Sequence, residues 1–344
     1  MRVAVTGANG LLGGEAVAQL LGRHEVLALG RGPCRLEARL ESSVRPEPPD
    51  SVRPEPFDSA AFGGSAQGWI RGRDAAAESK GTPPFTYADA DLGDGRSVEA
   101  ALRAFRPEAV LHAGAATDVD GCERDPEQAW RVNVGGTEQV ARACRALGAR
   151  LVAVSTDYVF DGTAGPYAED DVPNPRGAYA RTKRCGEEAA LLLAPDCAVA
   201  RVAVVYSGRP GAKNTFATQV VEKLSRGEVV KAFADQLVST TLAASGAAMC
   251  LELLLETDYR GVLHTSDATV LDRVDFARRI ARRFGLAGEI VPVKTADVKL
   301  LAPRPLQGGL RVERAAKLLR SKPLPIDEAL ERFHQEWQAR AIAR

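Results

Sequence analysis

Short apolar runs alternate with longer amphipathic stretches over the first two thirds of the chain. Val3-Ala4-Val5 has the pattern of a buried strand, a glycine turn follows, Leu11 to Leu21 reads as a helix, and Glu25 to Leu29 as a second strand. Strand, glycine loop, helix, strand is a parallel βαβ unit. The rhythm resumes at Phe85, with strand-like runs at Phe85–Tyr87, Ala109–His112, Leu151–Val154 and Ala198–Val202. Between them Arg96–Phe105, Pro126–Leu147 and Tyr179–Leu193 look helical. This alternation predicts an α/β fold, a Rossmann-type doubly wound parallel sheet. From about Tyr206 the pattern loosens into helical stretches at Thr215–Ser225, Ser245–Leu255, Asp272–Phe284 and Ile326–Arg340, separated by proline-containing loops. We therefore expect a dinucleotide-binding domain over residues 1–205. A smaller, mainly helical C-terminal substrate lobe over 206–344 would cover the carboxyl ends of the strands, with the chain free to cross between the two.

Residues 41–84 interrupt the rhythm. They are rich in Pro, Ser, Gly and charge, and carry a tandem octapeptide, Ser43 to Asp50 and then Ser51 to Asp58. Two short copies do not make a solenoid, and proline at these spacings blocks helix and central strand. The segment is expected to be a partly disordered surface insertion, with Phe57, Phe62, Trp69 and Ile70 as its anchor candidates.

With 344 residues the chain can bury a large core, and 45% hydrophobic with 26% charged residues is a globular composition. Lys+Arg and Asp+Glu both number 45. That balance argues against a general nucleic-acid-binding surface, and no nucleic-acid partner is expected. The six cysteines lie scattered with no C-x-x-C pair, so buried free thiols are expected rather than a zinc or redox site. No apolar run approaches the roughly 18 residues of a membrane span, and no leader peptide fits before the first strand. A cytoplasmic protein without a membrane partner is expected, with a homodimer as the assembly left open.

Thr6-Gly7-Ala8-Asn9-Gly10-Leu11-Leu12-Gly13 reads G-x-x-G-x-x-G between a strand and a helix. Glycines let backbone approach a pyrophosphate, and the helix N-terminus offers N–H groups and partial positive charge. Gly7, Asn9, Gly10, Leu11, Leu12 and Gly13 are thus cofactor-binding candidates. Arg31, after the second strand, stands where an acidic residue would bind a ribose 2′-hydroxyl, and so favours NADP(H) over NAD(H). Asp91 and Leu92 after the third strand, and Ala113, Gly114 and Ala115 after the fourth, would border the same cofactor.

The chemistry lies in Ser155 to Lys183. Ser155-Thr156 follows an apolar run directly, and Tyr179 stands four residues before Lys183, which places both on one helical face. A lysine ammonium near a tyrosine lowers the phenol pKa from its usual value of about 10. Such a tyrosine can give a proton to a carbonyl oxygen as hydride reaches the carbon, or take one in reverse. Lys183 would also hold the nicotinamide ribose, and Thr156 would orient the substrate oxygen. The residues alone thus point to an oxidoreductase that reduces a carbonyl.

At these motifs the chain resembles the extended short-chain dehydrogenase/reductases, and within them the dTDP-4-dehydrorhamnose reductase family. The resemblance rests on TGANGLLG (6–13), GAATDVDGCE (114–123), RVNVGGTEQVARAC (131–144), STDYVFDG (155–162), YARTKRCGE (179–187) and RVAVVY (201–206). It continues through ADQ (234–236), GVLHTS (261–266) and APRPLQGGL (302–310). It implies that Tyr179 is the acid/base, Lys183 its partner and Thr156 the orienting hydroxyl. It also implies that Thr117, Val119 and Tyr158 lie beside the substrate and that Asn133 holds a helix and an ordered water. The implied reaction is NAD(P)H reduction of a nucleotide-linked 4-keto-6-deoxyhexose, in deoxysugar and polysaccharide biosynthesis.

The chain departs from the family on the sugar side. Val204 replaces a tryptophan beside the sugar, Ser239-Thr240-Thr241 replaces S-P-T, Ser245 replaces an aspartate and Gly308 a serine. Two other functions share the resemblance: a regulatory subunit like that of methionine adenosyltransferase, and a nucleotide-sugar epimerase. Retention of Thr156, Tyr179 and Lys183 favours an enzyme, and the pair Asp157-Tyr158 lacks the second acid of the dehydratases. No metal site is expected: His112 and His264 read as structural, Glu169-Asp170-Asp171 as a solvated loop, and Arg278-Arg279 with Arg282-Arg283 as a basic helix face.

Overall fold

The structure, a computed structural model, describes residues 1–36, 69–71 and 85–342. The chain opens with β1 (Arg2–Thr6), α1 (Leu11–Leu20) and β2 (Glu25–Gly30). It continues with β3 (Trp69–Arg71), β4 (Thr86–Asp89), α2 (Gly95–Phe105) and β5 (Ala109–His112). Then come α3 (Val119–Arg124), α4 (Pro126–Trp130), α5 (Gly136–Leu147), β6 (Arg150–Thr156), α6 (Ala178–Leu193) and β7 (Cys197–Val202). The remainder holds β8 (Val205–Tyr206), α7 (Phe216–Ser225), β9 (Val230–Phe233), β10 (Leu237–Ser239), β11 (Thr241–Leu242) and α8 (Ala243–Leu255). Last are β12 (Gly261–His264), β13 (Val270–Asp272), α9 (Arg273–Arg283), β14 (Ile290–Val293), α10 (Glu313–Leu318) and α11 (Ile326–Ile342).

The main sheet has the order β12-β7-β6-β5-β1-β2-β4-β3, parallel throughout except for β3. Its central strands are apolar on both faces because helices cover both. Leu12, Ala16, Val17 and Leu20 of α1 share one core with Ala247 and Met249 of α8. Val98, Leu102 and Phe105 of α2 share the opposite core with Val140 and Cys144 of α5 and Ala190 of α6. A third core joins α7, α9 and α11 through Val220, Leu224, Phe276, Ile280, Leu330 and Phe333. From β1 the chain runs outward to β2 and β4, then returns to β5 on the other side of β1. That reversal opens a crevice between the carboxyl ends of β1 and β5.

The structure departs from the sequence pattern in several places. Pro126–Leu147 is not one regular helix, because a π-turn at Arg131–Gly135 separates α4 from α5. Asn133, inside that turn, uses its side chain on neighbouring segments, and Gly136 lets α5 approach Leu92 where a Cβ would lie 2.9 Å away. β12 returns to the main sheet beside β7, and α8 packs against α1, so the chain crosses back after residue 205. The C-terminal region also holds short strand pairs, β8 with β11, β9 with β14 and β10 with β13. Within the expected insertion, Trp69–Arg71 pairs antiparallel with β4 at the sheet edge. The octapeptide repeat, Phe57 and Phe62 lie outside the described residues. No helix among the described residues is long and apolar enough to cross a membrane.

Candidate active site

The glycine loop lies at the crevice. Gly7 has φ +69°, and a Cβ there would come within 2.6 Å of the Gly114 Cα, so the turns after β1 and β5 touch backbone to backbone. A Cβ on Gly13 would lie 2.3 Å from the Gly7 carbonyl oxygen. No side-chain hydrogen bond caps the start of α1 at Gly10, and the positive end of the helix lies at the loop after β1, beside the crevice. Leu12 is itself a core residue whose side chain would meet a Cβ on Gly246 at 3.0 Å; only its backbone faces the loop.

Asn9 organises the neighbouring loop. Its amide donates to the Arg31 and Pro33 carbonyls at 3.2 and 3.1 Å and to the Tyr87 hydroxyl at 2.9 Å, and its oxygen accepts from the Arg35 amide at 3.0 Å. The Tyr87 hydroxyl donates to the Gly32 carbonyl at 2.7 Å, and Asp89 accepts from the Gly32 amide at 2.8 Å. The exposed Arg31 side chain therefore stands on a braced backbone. Tyr87 and Asp89 were not legible in the sequence. Their signal is register, since they pair with Ala28 and Gly30 on β2. Asp91 accepts from the Gly93 amide at 2.8 Å, and Leu92 presses on Gly114, where a Cβ would meet it at 2.5 Å.

Ala113, Gly114 and Ala115 leave β5 in the same crevice. The Gly114 amide donates to Thr6 Oγ1 at 3.2 Å, and the Asn133 side chain grips Ala116 from both ends, accepting from its amide at 2.8 Å and donating to its carbonyl at 3.2 Å. Asn133 also donates to Thr182 at 3.0 Å, which ties this segment to α6. His112 is fully buried between Thr6 at 2.7 Å and Thr137 at 3.0 Å, and burial pulls its pKa down to about 3, so the ring is neutral and structural. Among the described residues no group of three His, Cys, Asp or Glu is placed to hold a metal ion.

The hydroxyl pair at the end of β6 splits because successive strand residues point to opposite faces. Ser155 faces a cavity of about 10 Å³ lined also by His112, Thr137, Lys183 and Glu187, room for about one water. Thr156 takes the other face, where its hydroxyl donates to Asp157 at 3.1 Å and accepts from the Tyr158 amide at 3.2 Å. Tyr179 meets the Tyr158 ring edge-on at 5.8 Å. The Lys183 ammonium donates to the Val154 carbonyl at 2.8 Å, and burial lowers its pKa to about 8, against the opposing charge of Glu187. Burial pushes the Tyr179 phenol above its ordinary value, with the Thr156 hydroxyl acting the other way. This corrects the expected lowering by lysine: desolvation of the phenol is the larger effect, and the Lys183 ammonium bonds the Val154 carbonyl. Glu187 was not anticipated; its carboxylate holds Arg201 through two bonds of 2.8 Å, deep under the site.

Of the residues expected beside a substrate, Val119 opens α3 and is partly exposed, and Thr117 is exposed before it. Ala116 and Tyr179 pack together against Cys122, Ala129 and Ala178, which brings this segment to the tyrosine. Val204 follows β7, whose Val202 pairs with Thr156, so it emerges beside the carboxyl end of β6. Its φ of +40° is an unusual conformation for a β-branched residue. Ser245 donates to Asp267 at 2.8 Å, and Ser239 accepts from the Leu310 amide at 2.9 Å. The acidic loop is not simply solvated: Glu169 and Asp170 both pair with Arg314, and Glu169 accepts from the His264 amide. On the basic helix face, Arg279 pairs with Asp275 and Asp327, and Arg283 with Glu331.

The family model described as the RmlD substrate binding domain matches residues 63–339. The chain is 38% identical over 238 residues to the dTDP-4-dehydrorhamnose reductase of Mycobacterium tuberculosis, covering 67% of this chain and 76% of that protein. It is 31% identical over 257 residues to the methionine adenosyltransferase 2 subunit beta of Xenopus tropicalis, covering 70% of this chain and 73% of that one. Its structure is similar to that of a dTDP-4-dehydrorhamnose reductase from Clostridium acetobutylicum, with a TM-score of 0.76 at 26% identity over 98% of this chain and 100% of that chain.

Proposed function

The chain belongs to the family of the RmlD substrate binding domain, and we propose that it is an NADP(H)-dependent reductase of nucleotide-linked 4-keto-6-deoxysugars, acting in the cytoplasm in deoxysugar biosynthesis. The observation that carries this reading is the grouping of Thr156, Tyr158 and Tyr179 at the carboxyl end of β6, one strand from the crevice: the Tyr158 amide bonds the Thr156 hydroxyl and the Tyr158 ring meets that of Tyr179. Relatives across most of the chain carry the reductase name.

A dinucleotide fits the residues present. The glycine cradle at Gly7, Gly13 and Gly114 leaves no room for a Cβ, and the uncapped start of α1 suits a pyrophosphate. Arg31, on its braced loop, would meet a 2′-phosphate, and Asp91 and Leu92 would border the adenine. The cofactor supplies hydride to the sugar carbonyl carbon. Thr156 orients the carbonyl oxygen, and Tyr179, kept protonated by its raised pKa, gives that oxygen its proton. Lys183, fixed to the strand by Val154, holds the ribose. Residues 1–205 form the dinucleotide-binding domain, whose loops also meet the sugar, and 206–344 the substrate lobe, with α8 and β12 returned to the first domain. Thr117, Val119, Tyr158 and Val204 border the sugar.

The test is a panel of nucleotide-linked 4-keto sugars with NADPH or NADH, followed by the loss of reduced-cofactor absorbance. At least one is expected to be reduced, with NADPH preferred. Tyr179→Phe is expected to lose at least about 10²-fold in kcat while cofactor binding persists; near-normal turnover refutes the mechanism. The likeness to a methionine adenosyltransferase subunit supports a second reading, a partner-binding role. A stoichiometric complex with such an enzyme, together with no reduction across the panel, would establish it.

A further inference from the structure

Thr156 divides its hydroxyl between two neighbours. A hydroxyl has one proton and two lone pairs. The Tyr158 amide donates to Thr156 Oγ1 at 3.2 Å, and Thr156 Oγ1 lies 3.1 Å from Asp157 Oδ1. If Asp157 is ionised it can only accept, so the Thr156 proton turns to it and away from a carbonyl oxygen. If Asp157 is protonated, its own O–H fills the second lone pair of Thr156, and the Thr156 proton is available to a bound oxygen. We propose that Asp157 is a positioning residue whose protonation turns the Thr156 hydroxyl toward a bound carbonyl.

The surroundings of Asp157 make the protonated form accessible. The residue is 6% exposed, and among the described residues no ion pair reaches it. Burial pushes its pKa up to about 6, against bonds from Thr156 and from its own and the Tyr158 amides, and against the charge of Arg273. The facing groups are Tyr158 on the same turn, Tyr179 from α6 and Arg273 from the start of α9. Arg273 is itself engaged, donating to Gln236 at 3.1 Å. The loop opposite contributes Gly308, where a Cβ would lie 3.9 Å from Asp157 Oδ2, so no side-chain donor comes from that side.

This inference rests on the reading of Tyr179 and Thr156 as the groups that meet the carbonyl. Its test is Asp157→Asn, whose amide always donates and so mimics the protonated acid. Wild-type kcat/KM is expected to fall about tenfold per pH unit above a limb near 6, and the limb to vanish in the Asn variant. Two readouts need no substrate. The carboxylic acid band in the wild-type minus variant infrared difference spectrum is expected to titrate near pH 6. The Tyr179 phenolate, assigned with Tyr179→Phe, is expected to appear at lower pH in the Asn variant, because the Asp157 charge raises the phenol pKa. An infrared titration at the ordinary aspartate value of about 4 overturns the inference, as does a pH limb unchanged in the Asn variant. Activity retained in Tyr179→Phe overturns the underlying mechanism, and the inference with it.

Discussion

The buried pair Glu187–Arg201 permits a quantitative prediction. Both side chains are 1% exposed and joined by two bonds of 2.8 Å. Arg201 also lies over the Phe160 ring, 5.0 Å from its centroid. Glu187→Gln would leave a guanidinium in the core with no compensating charge, at a cost of about 3–5 kcal/mol. That is a large part of the roughly 5–15 kcal/mol by which a domain is stable. At an m-value of about 3 kcal/mol/M the urea midpoint should fall by about 1–1.7 M. Arg201 Nη1 has no hydrogen-bond partner among the described residues. The pair is therefore imperfectly satisfied, and Glu187→Leu with Arg201→Met should recover much of the loss. The effect also has a sign in pH. Burial favours the protonated acid, but the Arg201 bonds and charge outweigh it and leave the Glu187 pKa below its ordinary value. The folded form thus holds fewer protons than the unfolded one as pH falls. The stabilisation is full above the unfolded pKa and lost as pH drops through the depressed folded value. The gap between wild type and Glu187→Gln should accordingly close in acid. A cost under about 1 kcal/mol at pH 7, or a gap that stays constant to pH 3, refutes the reasoning.

Arg31→Asp should reverse the NADPH preference measured as the ratio of kcat/KM values; an unchanged ratio would remove Arg31 from the 2′-phosphate site. Glu336 accepts from the Gly208 amide at 2.8 Å, and burial raises its pKa to about 7. The folded state therefore holds an extra proton between about pH 4.5 and 7, and stability falls as pH rises through that window. Glu336→Gln should raise the Tm at pH 8 and leave it near wild type at pH 4.5, and an equal effect at both pH values would contradict the assignment.

The parallel sheet was legible because its strands are short apolar runs with helices between, and that periodicity is local. The same holds for Gly7 and Gly13, whose spacing reports a backbone approach, and for Tyr179 and Lys183, four apart on one helix. Pairing at long range left no such trace. β12 reads like any edge of a lobe, and only its register with Ala198–Arg201 places it in the main sheet. Asn9, a cofactor-binding candidate by its place in the glycine loop, also braces the loop after β2, a role that depends on Tyr87, 78 residues away. The effect of Lys183 on the phenol was misjudged for a related reason. Helical spacing shows that two side chains share a face, but not that the Val154 carbonyl claims the ammonium.

The two halves of the site differ in how they are held, and this explains why the chemistry is easier to read than the substrate. On the side proposed for the cofactor, backbone meets backbone at Gly7 and Gly114, and Asn133 fixes Ala116 by both its polar backbone atoms. A change at any of these points moves a main chain, so the motif persists as a recognisable string. The side proposed for the sugar is assembled from distant loops. Arg304 bonds Asp120 across 184 residues, Gly308 approaches the Leu237 carbonyl and Asp157, and Val204 holds a positive φ between β7 and β8. Val204, Ser245 and Gly308 have departed from the family pattern while Thr156, Tyr179 and Lys183 have not. A side chain at 204 smaller than tryptophan leaves more room beside the carboxyl end of β6. The keto-sugar panel should therefore favour substituents bulkier than those a tryptophan at 204 would admit. Val204→Trp should narrow the accepted range through KM, with kcat for the smallest substrate little changed; a uniform loss of kcat across the panel would show that residue 204 acts on the chemistry and not on the fit.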